Sequence, residues 1–374
     1  MVHYSPIRRW KDNTAKTRTI DTLLRLRGKI FRDITNKRDV GSFLLASWNL
    51  RDFDSDKFKH GKRLDESYLY MAEIMSAFDL IALQEVNRDL SGIERLVRTM
   101  GPQWAWMASD TTEGISGNQE RLAFVYNKDI IQFRNIAGEV VLPGTSDRQF
   151  ARTPYVASFQ AGWFKFNLCT THIYFGEDSG DKFARRVKEI NDLASFMRKR
   201  QEKETGDYIL LGDFNIKSQT DETMKALTDE GFTLPPDLVG ANTNLKGNKP
   251  YDQLALRVKN KMLEIGQADV FDFEKACFRT SDFKAYRPHM GKTAVNKYIR
   301  EAENRAKKSA KKKKVPFVPF DDAKKEALTK KYYGSVWRTF QISDHKPVWV
   351  ELKVDFTNAY LNSLRPDEEP LANI

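Results

Sequence analysis

Asp213 and Asn215, in Gly212-Asp213-Phe214-Asn215, follow the apolar run 208–211, and Ser343-Asp344-His345-Lys346-Pro347 precedes another apolar run near the far end of the chain. Side chains two apart on a strand project from one face, so a strand through Asp213 and Asn215 presents both to one cleft. Glu85, in Leu83-Gln84-Glu85-Val86, stands after a further apolar run, and His172, in Thr171-His172, ends another. Singly, each is the kind of residue that fills a turn or, for the histidine, a satisfied structural position. Together, Glu85, Asp213, Asn215 and Asp344 offer the carboxylate and amide oxygens that hard divalent cations prefer; Mg²⁺ takes one or two carboxylates and leaves positions for water and phosphate. With His172 and His345 available to move protons, the set fits metal-assisted hydrolysis of a phosphoester.

Positioning these groups calls for alternating strands and helices. Residues 42–48 and 79–83 are short apolar runs ending in polar residues, and 64–78 between them carries apolar residues at helical spacing. Ser91-Gly92-Ile93-Glu94 reads as a capping box opening a helix that closes near Gly101. Segments 121–126, 154–159 and 163–173 read as strands, 182–203 as an amphipathic helix and 208–211 as a buried strand. A helix over 221–229 stops at Gly231, and strands follow at 252–258 and 347–354. Strands joined by short turns and interleaved with helices predict two mixed sheets packed face to face under helical layers. Outside this pattern, 20–34 forms an amphipathic helix with Ile20, Leu23, Leu24, Phe31 and Ile34 for docking. Residues 260–336 are helix-prone, with Lys311-Lys312-Lys313-Lys314 ending one helix and Asp321 or Asp322 capping a second that stops near Gly334. The resulting organisation is a basic helical extension at 1–40, a main domain at 41–354 with a basic helical insertion within 260–336, and a tail at 355–374.

With 374 residues, 40% of them hydrophobic, the chain can bury a full core. Its formal charge of +11 is concentrated: residues 1–40 hold 11 Lys/Arg against 4 Asp/Glu and 292–331 hold 14 against 5, which leaves the rest slightly acidic. A charge block is often only a solvated face; here it is also a surface for a polyanion, since Lys and Arg gain affinity by releasing phosphate counterions. Cys169 lies inside an apolar stretch, and with Cys277 the only other cysteine, free thiols and a reducing compartment are expected rather than a disulfide framework. No run is apolar enough for a membrane span or a secretory signal, so the expectation is a cytoplasmic protein with no transmembrane span.

The order of these clusters resembles that of the endonuclease/exonuclease/phosphatase superfamily, with deoxyribonuclease I-like nucleases the closest pattern. The resemblance is carried by Trp48-Asn49, Gln84-Glu85, Glu120-Arg121 before Phe124-Val125-Tyr126, Arg152-Thr153-Pro154, Thr171-His172, Gly212-Asp213-Phe214-Asn215, Tyr251-Asp252-Gln253 and Ser343-Asp344-His345. It covers residues 42–258 and 338–354 and implies an α/β (α+β) fold, a four-layered αββα sandwich with the site at one end of the two sheets. It further implies Glu85 as the principal Mg²⁺ carboxylate, with Asp344 and Asn49 completing the metal site directly or through water, and Mn²⁺ as a substitute ion. Asp213 and Asn215 would position the attacking water and the phosphate oxygens. His172, oriented by Glu120, would be the acid, His345, oriented by Asp252, would stand at the scissile phosphate, and Arg152 would neutralise a phosphate oxygen.

Members of such a family act on DNA, RNA, phosphoinositides and sphingomyelin with nearly one constellation, so the reaction class is firmer than the substrate. A slightly acidic body carrying basic additions favours a long polyanion, with Lys311, Lys312, Lys313 and Lys314 binding its phosphates. The reading is a Mg²⁺-dependent phosphodiester hydrolase, a DNA endonuclease of deoxyribonuclease I type. The alternatives are an RNA-directed nuclease and a phosphatase or phosphodiesterase for inositol phosphates or phospholipid head groups. Under that last alternative alone the basic segments would meet a membrane surface.

Overall fold

A computed structural model describes residues 1–55, 61–112, 119–143 and 149–365. Eleven strands form two mixed sheets among these residues. The first sheet contains β1 (Ser42–Phe53), β2 (Leu80–Asn87), β3 (Trp104–Ala108), β4 (Glu120–Asn127), β10 (Glu264–Val270) and β11 (Val348–Lys353), in the order β10-β11-β1-β2-β4-β3. The second contains β5 (Ile131–Glu139), β6 (Tyr155–Ala161), β7 (Phe164–His172), β8 (Asp207–Asp213) and β9 (Asp252–Arg257), in chain order. Each sheet has one parallel pair, β1 with β2 and β7 with β8. A parallel pair needs a long crossover. Here the crossovers include α2 (Asp65–Met75) and α4 (Gly180–Lys203).

Period-two alternation distributes each strand between two cores. Phe43 and Leu45 of β1, with Leu122 and Phe124, pack against Phe159, Phe166 and Leu211 of the second sheet, while Leu44, Ala46 and Trp48 face the helices. The outer layer on the first sheet contains α1 (Asn13–Asp33), α2 and α3 (Ser91–Met100); that on the second contains α4 and α5 (Glu222–Thr228). Three apolar interfaces thus separate four layers, as the sandwich requires. Cys169 and Cys277 are both buried and free.

The structure corrects several expectations. β3, β5 and β10 are additional strands: β5 is an edge strand that is mostly exposed and so lacks an alternating apolar signal, and β10 lies within the stretch that reads as helix-prone. Ser91 does not act as a capping-box residue; it is the first helical residue, and Asp89 accepts its N–H at 3.0 Å. α1 buries Thr19, Thr22, Leu23, Leu26 and Ile30, whereas Ile20, Leu24 and Phe31 remain exposed. The docking face is therefore rotated from the one expected.

The basic segment 260–336 is also built into the body. Phe271, Phe273, Cys277, Phe278, Tyr286 of the single-turn α6 (Phe283–Tyr286) and Tyr333 join the core beneath α1 and α2. α7 (Lys292–Lys313) has no buried residue, while α8 (Asp322–Tyr332) is capped by Asp321, which accepts the Lys324 N–H at 2.7 Å. The chain does not stop at Gly334. It continues through a π-helical turn, Tyr333–Trp337, into Arg338–Gln341, because burying Tyr333 and Trp337 outweighs the roughly 1 kcal/mol cost of an internal glycine. After β11, the described part of the tail includes a short helix, Thr357–Ser363; residues 366–374 lie outside the described residues.

Candidate active site

The parallel pairs end at one rim. Asn49 and Glu85 lie toward the C-terminal ends of β1 and β2, and His172 and Asp213 terminate β7 and β8. Glu120 and Asp252 begin β4 and β9, which run antiparallel to β2 and β8 and so start where those strands finish. Six polar residues from both sheets converge there because strand direction requires it.

Asn49 joins the two sheets. Its Nδ2 donates to Glu85 Oε1 at 2.9 Å and to Asp213 Oδ2 at 3.1 Å, while its Oδ1 accepts the Arg51 N–H at 2.8 Å. Glu85 Oε2 accepts the Asp52 N–H at 2.7 Å. This requires both strands to leave regular pairing: the β1–β2 register shifts between Asn49 and Phe53, the β2–β4 register between Leu83 and Val86, and Arg51, Asp52 and Glu85 have φ of 47°, 44° and 59°. Left-handed backbone at non-glycine residues costs about 1 kcal/mol or more each and persists where its surroundings enforce it. The bulges turn the half-buried Glu85 carboxylate toward Asn49.

Two histidines flank Asp213. His172 Nε2 lies 3.6 Å and His345 Nε2 3.9 Å from Asp213 Oδ2. His345 Nδ1 is 2.7 Å from Asp252 Oδ2. Thr243 supports that carboxylate with its hydroxyl and accepts the Asp252 N–H at 3.0 Å. His172 Nδ1 is 2.9 Å from Glu120 Oε1, close but not aligned as a straight hydrogen bond. The Arg152 guanidinium donates through Nε to the same Glu120 Oε1.

Charge and burial act against each other here. Burial raises the Asp213 carboxyl above its usual range, against the pull of His345 and His172. For His345, burial favours the neutral ring, yet Asp252 and Asp213 outweigh it and hold the imidazole well above its ordinary value. Burial and Arg152 likewise oppose protonation of His172, but Glu120 and Asp213 raise it. Burial pushes Glu120 up, and His172 with Arg152 overcome this and hold it below the usual carboxylate range.

Several expected residues occupy unexpected positions. The same-face expectation for Asp213 and Asn215 does not hold, since β8 ends at Asp213 and Asn215 follows with φ of 53°. Asn215 reaches the rim through its own contacts, donating Nδ2 to Ile173 O at 2.8 Å and its N–H to Asp213 Oδ1 at 2.9 Å. Asn49 turns its amide nitrogen, which has no free lone pair, to the carboxylates, so it links them rather than offering them an oxygen. Asp344 Oδ2 faces Arg51 Nε at 3.6 Å. The three-residue groupings able to hold a metal among the described residues are Glu85, Glu120 and His172, and Asp213, Asp252 and His345; neither includes Asp344. Arg152 is buried behind Glu120 instead of lining the open rim. Lys311, Lys312 and Lys313 lie exposed in the last turn of α7, with Lys314 as its C-cap, and none of the site contacts above involves them. Sequence reasoning missed Thr243 and Arg51, which stand in no recognisable pattern.

Whether a cation suits the rim is decided by its donors. Glu85 and Asp213 present oxygens to a single amide nitrogen, Asp252 Oδ1 is buried without a hydrogen-bond partner, and the Asp213 carboxyl is raised by incompletely compensated burial. Such an acceptor-rich cluster fits a hard cation.

The sequence matches no family model and no curated protein. Solved structures are similar in fold. The human Nocturnin catalytic domain with bound sulfate anion is 13% identical, with 87% of this chain and 98% of that chain covered and a TM-score of 0.51. An endonuclease/exonuclease/phosphatase family protein from Bacteroides thetaiotaomicron is 15% identical over 83% and 97%, with a TM-score of 0.49. D. rerio TDP2 complexed with single strand DNA product is 12% identical over 84% and 99%, also with a TM-score of 0.49. With two mixed sheets of six and five strands flanked by helices, the chain shares the layered sandwich fold of the Nocturnin catalytic domain.

Proposed function

We propose that the chain is a divalent-cation-dependent phosphodiester hydrolase acting on nucleic acid, best matched by a DNA endonuclease. The observation that carries the reading is Asp213 lying between two histidines, each backed by its own carboxylate, and tied through Asn49 to Glu85. Glu85 and Asp213 would hold Mg²⁺, with Mn²⁺ as a substitute. The ion would neutralise phosphate charge and acidify water. Asp213 orients the water that attacks phosphorus and takes its proton as the bond from phosphorus to the leaving oxygen breaks, with Asn215 setting the Asp213 carboxylate through its N–H. His345, protonated through its carboxylate partners, donates to the leaving oxygen, and Asp252 fixes the ring that does so. His172, also biased toward the charged form, faces the same carboxylate and supplies positive charge to the phosphate oxygens. Arg152 and Glu120 act as positioning residues behind His172.

Nucleic acid is favoured by α7. Lys297, Arg300, Lys307, Lys308 and Lys311 are exposed and share one helical face, while Val295, Tyr298, Ile299 and Ala306 on the opposite side are half-buried. At 1.5 Å per residue this row extends about 21 Å, long enough to meet several phosphates. Lys312 and Lys313 are also explained by favourable placement at a helix C-terminus. The function is tested by assaying plasmid DNA, single-stranded DNA, RNA, inositol phosphate and a simple phosphodiester with Mg²⁺, with Mn²⁺ and with chelator. Turnover of DNA that needs the ion supports the reading. Turnover of inositol phosphate alone would replace nuclease with phosphatase, and chelator-resistant turnover would remove the cation.

A further inference from the structure

An aromatic path leads outward from the catalytic rim. The Tyr251 ring lies 5.8 Å from the His345 ring, and Phe175 meets Tyr251 edge to face at 6.4 Å. Phe175 is 50% exposed. A single exposed apolar residue needs no explanation by itself; the way this one is held does.

Arg186, with no exposed side-chain surface, donates to the carbonyls of Phe175, of Glu177 at 2.8 Å, of Tyr174 at 3.2 Å and of Asn215 at 3.3 Å. Burying a guanidinium to bind loop carbonyls is expensive, and the result is a fixed backbone beneath an outward ring. Gly176, at φ 55°, completes the turn, since a Cβ there would lie 2.6 Å from the Tyr174 ring. Ile173 and Asn215 then connect the loop to Asp213. Lys217 Nζ stands 4.4 Å over the Phe175 ring and pairs with the exposed Asp178. The Asp178 side chain is 69% exposed against 14% for Lys217, so the carboxylate can turn to solvent and leave the ammonium, held against the ring, to a phosphate.

We infer that Phe175 and Tyr251, with Lys217, form a subsite for one unpaired nucleobase and its neighbouring phosphate, next to the scissile phosphodiester. The inference rests on the hydrolase reading above and adds a specificity to it. A base stacks on an aromatic face only when it is free of its own helix, so the substrate presented here is single-stranded or locally opened.

The test compares kcat/KM on a single-stranded oligonucleotide, on the same oligonucleotide with one abasic residue placed at each position in turn, and on a phosphodiester lacking any aromatic ring. With the native protein, an abasic residue at one position beside the cleaved bond lowers kcat/KM by about 5- to 150-fold, the range for losing one base–aromatic stack. Phe175→Ala shows the same loss on the intact strand, no further loss with the abasic strand and no change on the ringless diester, and Phe175→Trp restores activity. Independent, multiplying losses, or an equal loss on the ringless diester, would overturn the subsite. If the native protein cleaves no diester, the hydrolase reading falls by itself. The subsite is then measured by oligonucleotide binding in EDTA, where equal affinity of native and Phe175→Ala protein would reject it.

Discussion

Asp252→Asn separates positioning from chemistry in the proposed mechanism. The Asp252 side chain is buried, its Oδ2 lies 2.7 Å from His345 Nδ1, and it heads the carboxylates that hold the imidazole above its ordinary value. Asparagine keeps the shape and removes the charge. Thr243 can still serve the amide oxygen, so folding is retained. His345 then loses the attraction that offsets its burial, and the fraction of protonated ring falls at neutral pH. A positioned acid contributes about 10²- to 10⁴-fold, so the expected loss in kcat is about 3 to 5 kcal/mol at about 1.4 kcal/mol per decade. KM should change little, because Asp252 lies behind the ring. The assay is kcat and KM across pH on the best substrate of the panel, with Mg²⁺ saturating. The limb assigned to the acid should also move to lower pH in the variant. A loss below tenfold with an unmoved pH profile would refute the pairing of Asp252 with a catalytic His345.

Four further outcomes are expected. Glu85→Ala and His345→Ala should each reduce hydrolysis by orders of magnitude while preserving the folded circular dichroism spectrum; near-native turnover in either would remove that residue from the mechanism. Asn49→Ala removes the bridge between Glu85 and Asp213, and the Mg²⁺ concentration for half-maximal activity should rise by about 10- to 100-fold, as for other groups that orient metal ligands. Replacing Lys297, Arg300 and Lys307 with Gln should reduce the slope of log K against log salt for duplex DNA by about 0.9 for each phosphate that is no longer neutralised, and an unchanged slope would make α7 merely a solvated face. In EDTA, His345 contributes stability that is fully present below the ordinary imidazole value and is lost as pH rises through its raised folded value. The thermal midpoint should therefore decline above a pH of about 6.5, and His345→Gln should flatten that decline.

Much of this frame is legible locally. The apolar runs of β1 and β8 and the helix over 221–229 depend on residues that are neighbours in sequence, and the structure has elements where these signals occur. Edge strand β5 is hidden because an exposed edge does not need alternating burial. The helix through Gly334 is hidden because buried Tyr333 and Trp337, not local propensity, decide its continuation. At the site, the pairings of His345 with Asp252 and His172 with Glu120 agree with the resemblance. The inward burial of Arg152 and the separation of Asp344 from the metal-capable groupings do not follow from motif order.

The sequence by itself determined which residue types are available at the strand ends; that they meet at one rim was decided by how the strands pair and run in the two sheets. Only the tertiary structure decided their orientation: which way the Asn49 amide turns, that Glu85 is delivered by a left-handed bulge, and that Phe175 is held outward over a buried arginine. Those outcomes rest on contacts between segments far apart in the chain, where burial and charge compensation outweigh local preference.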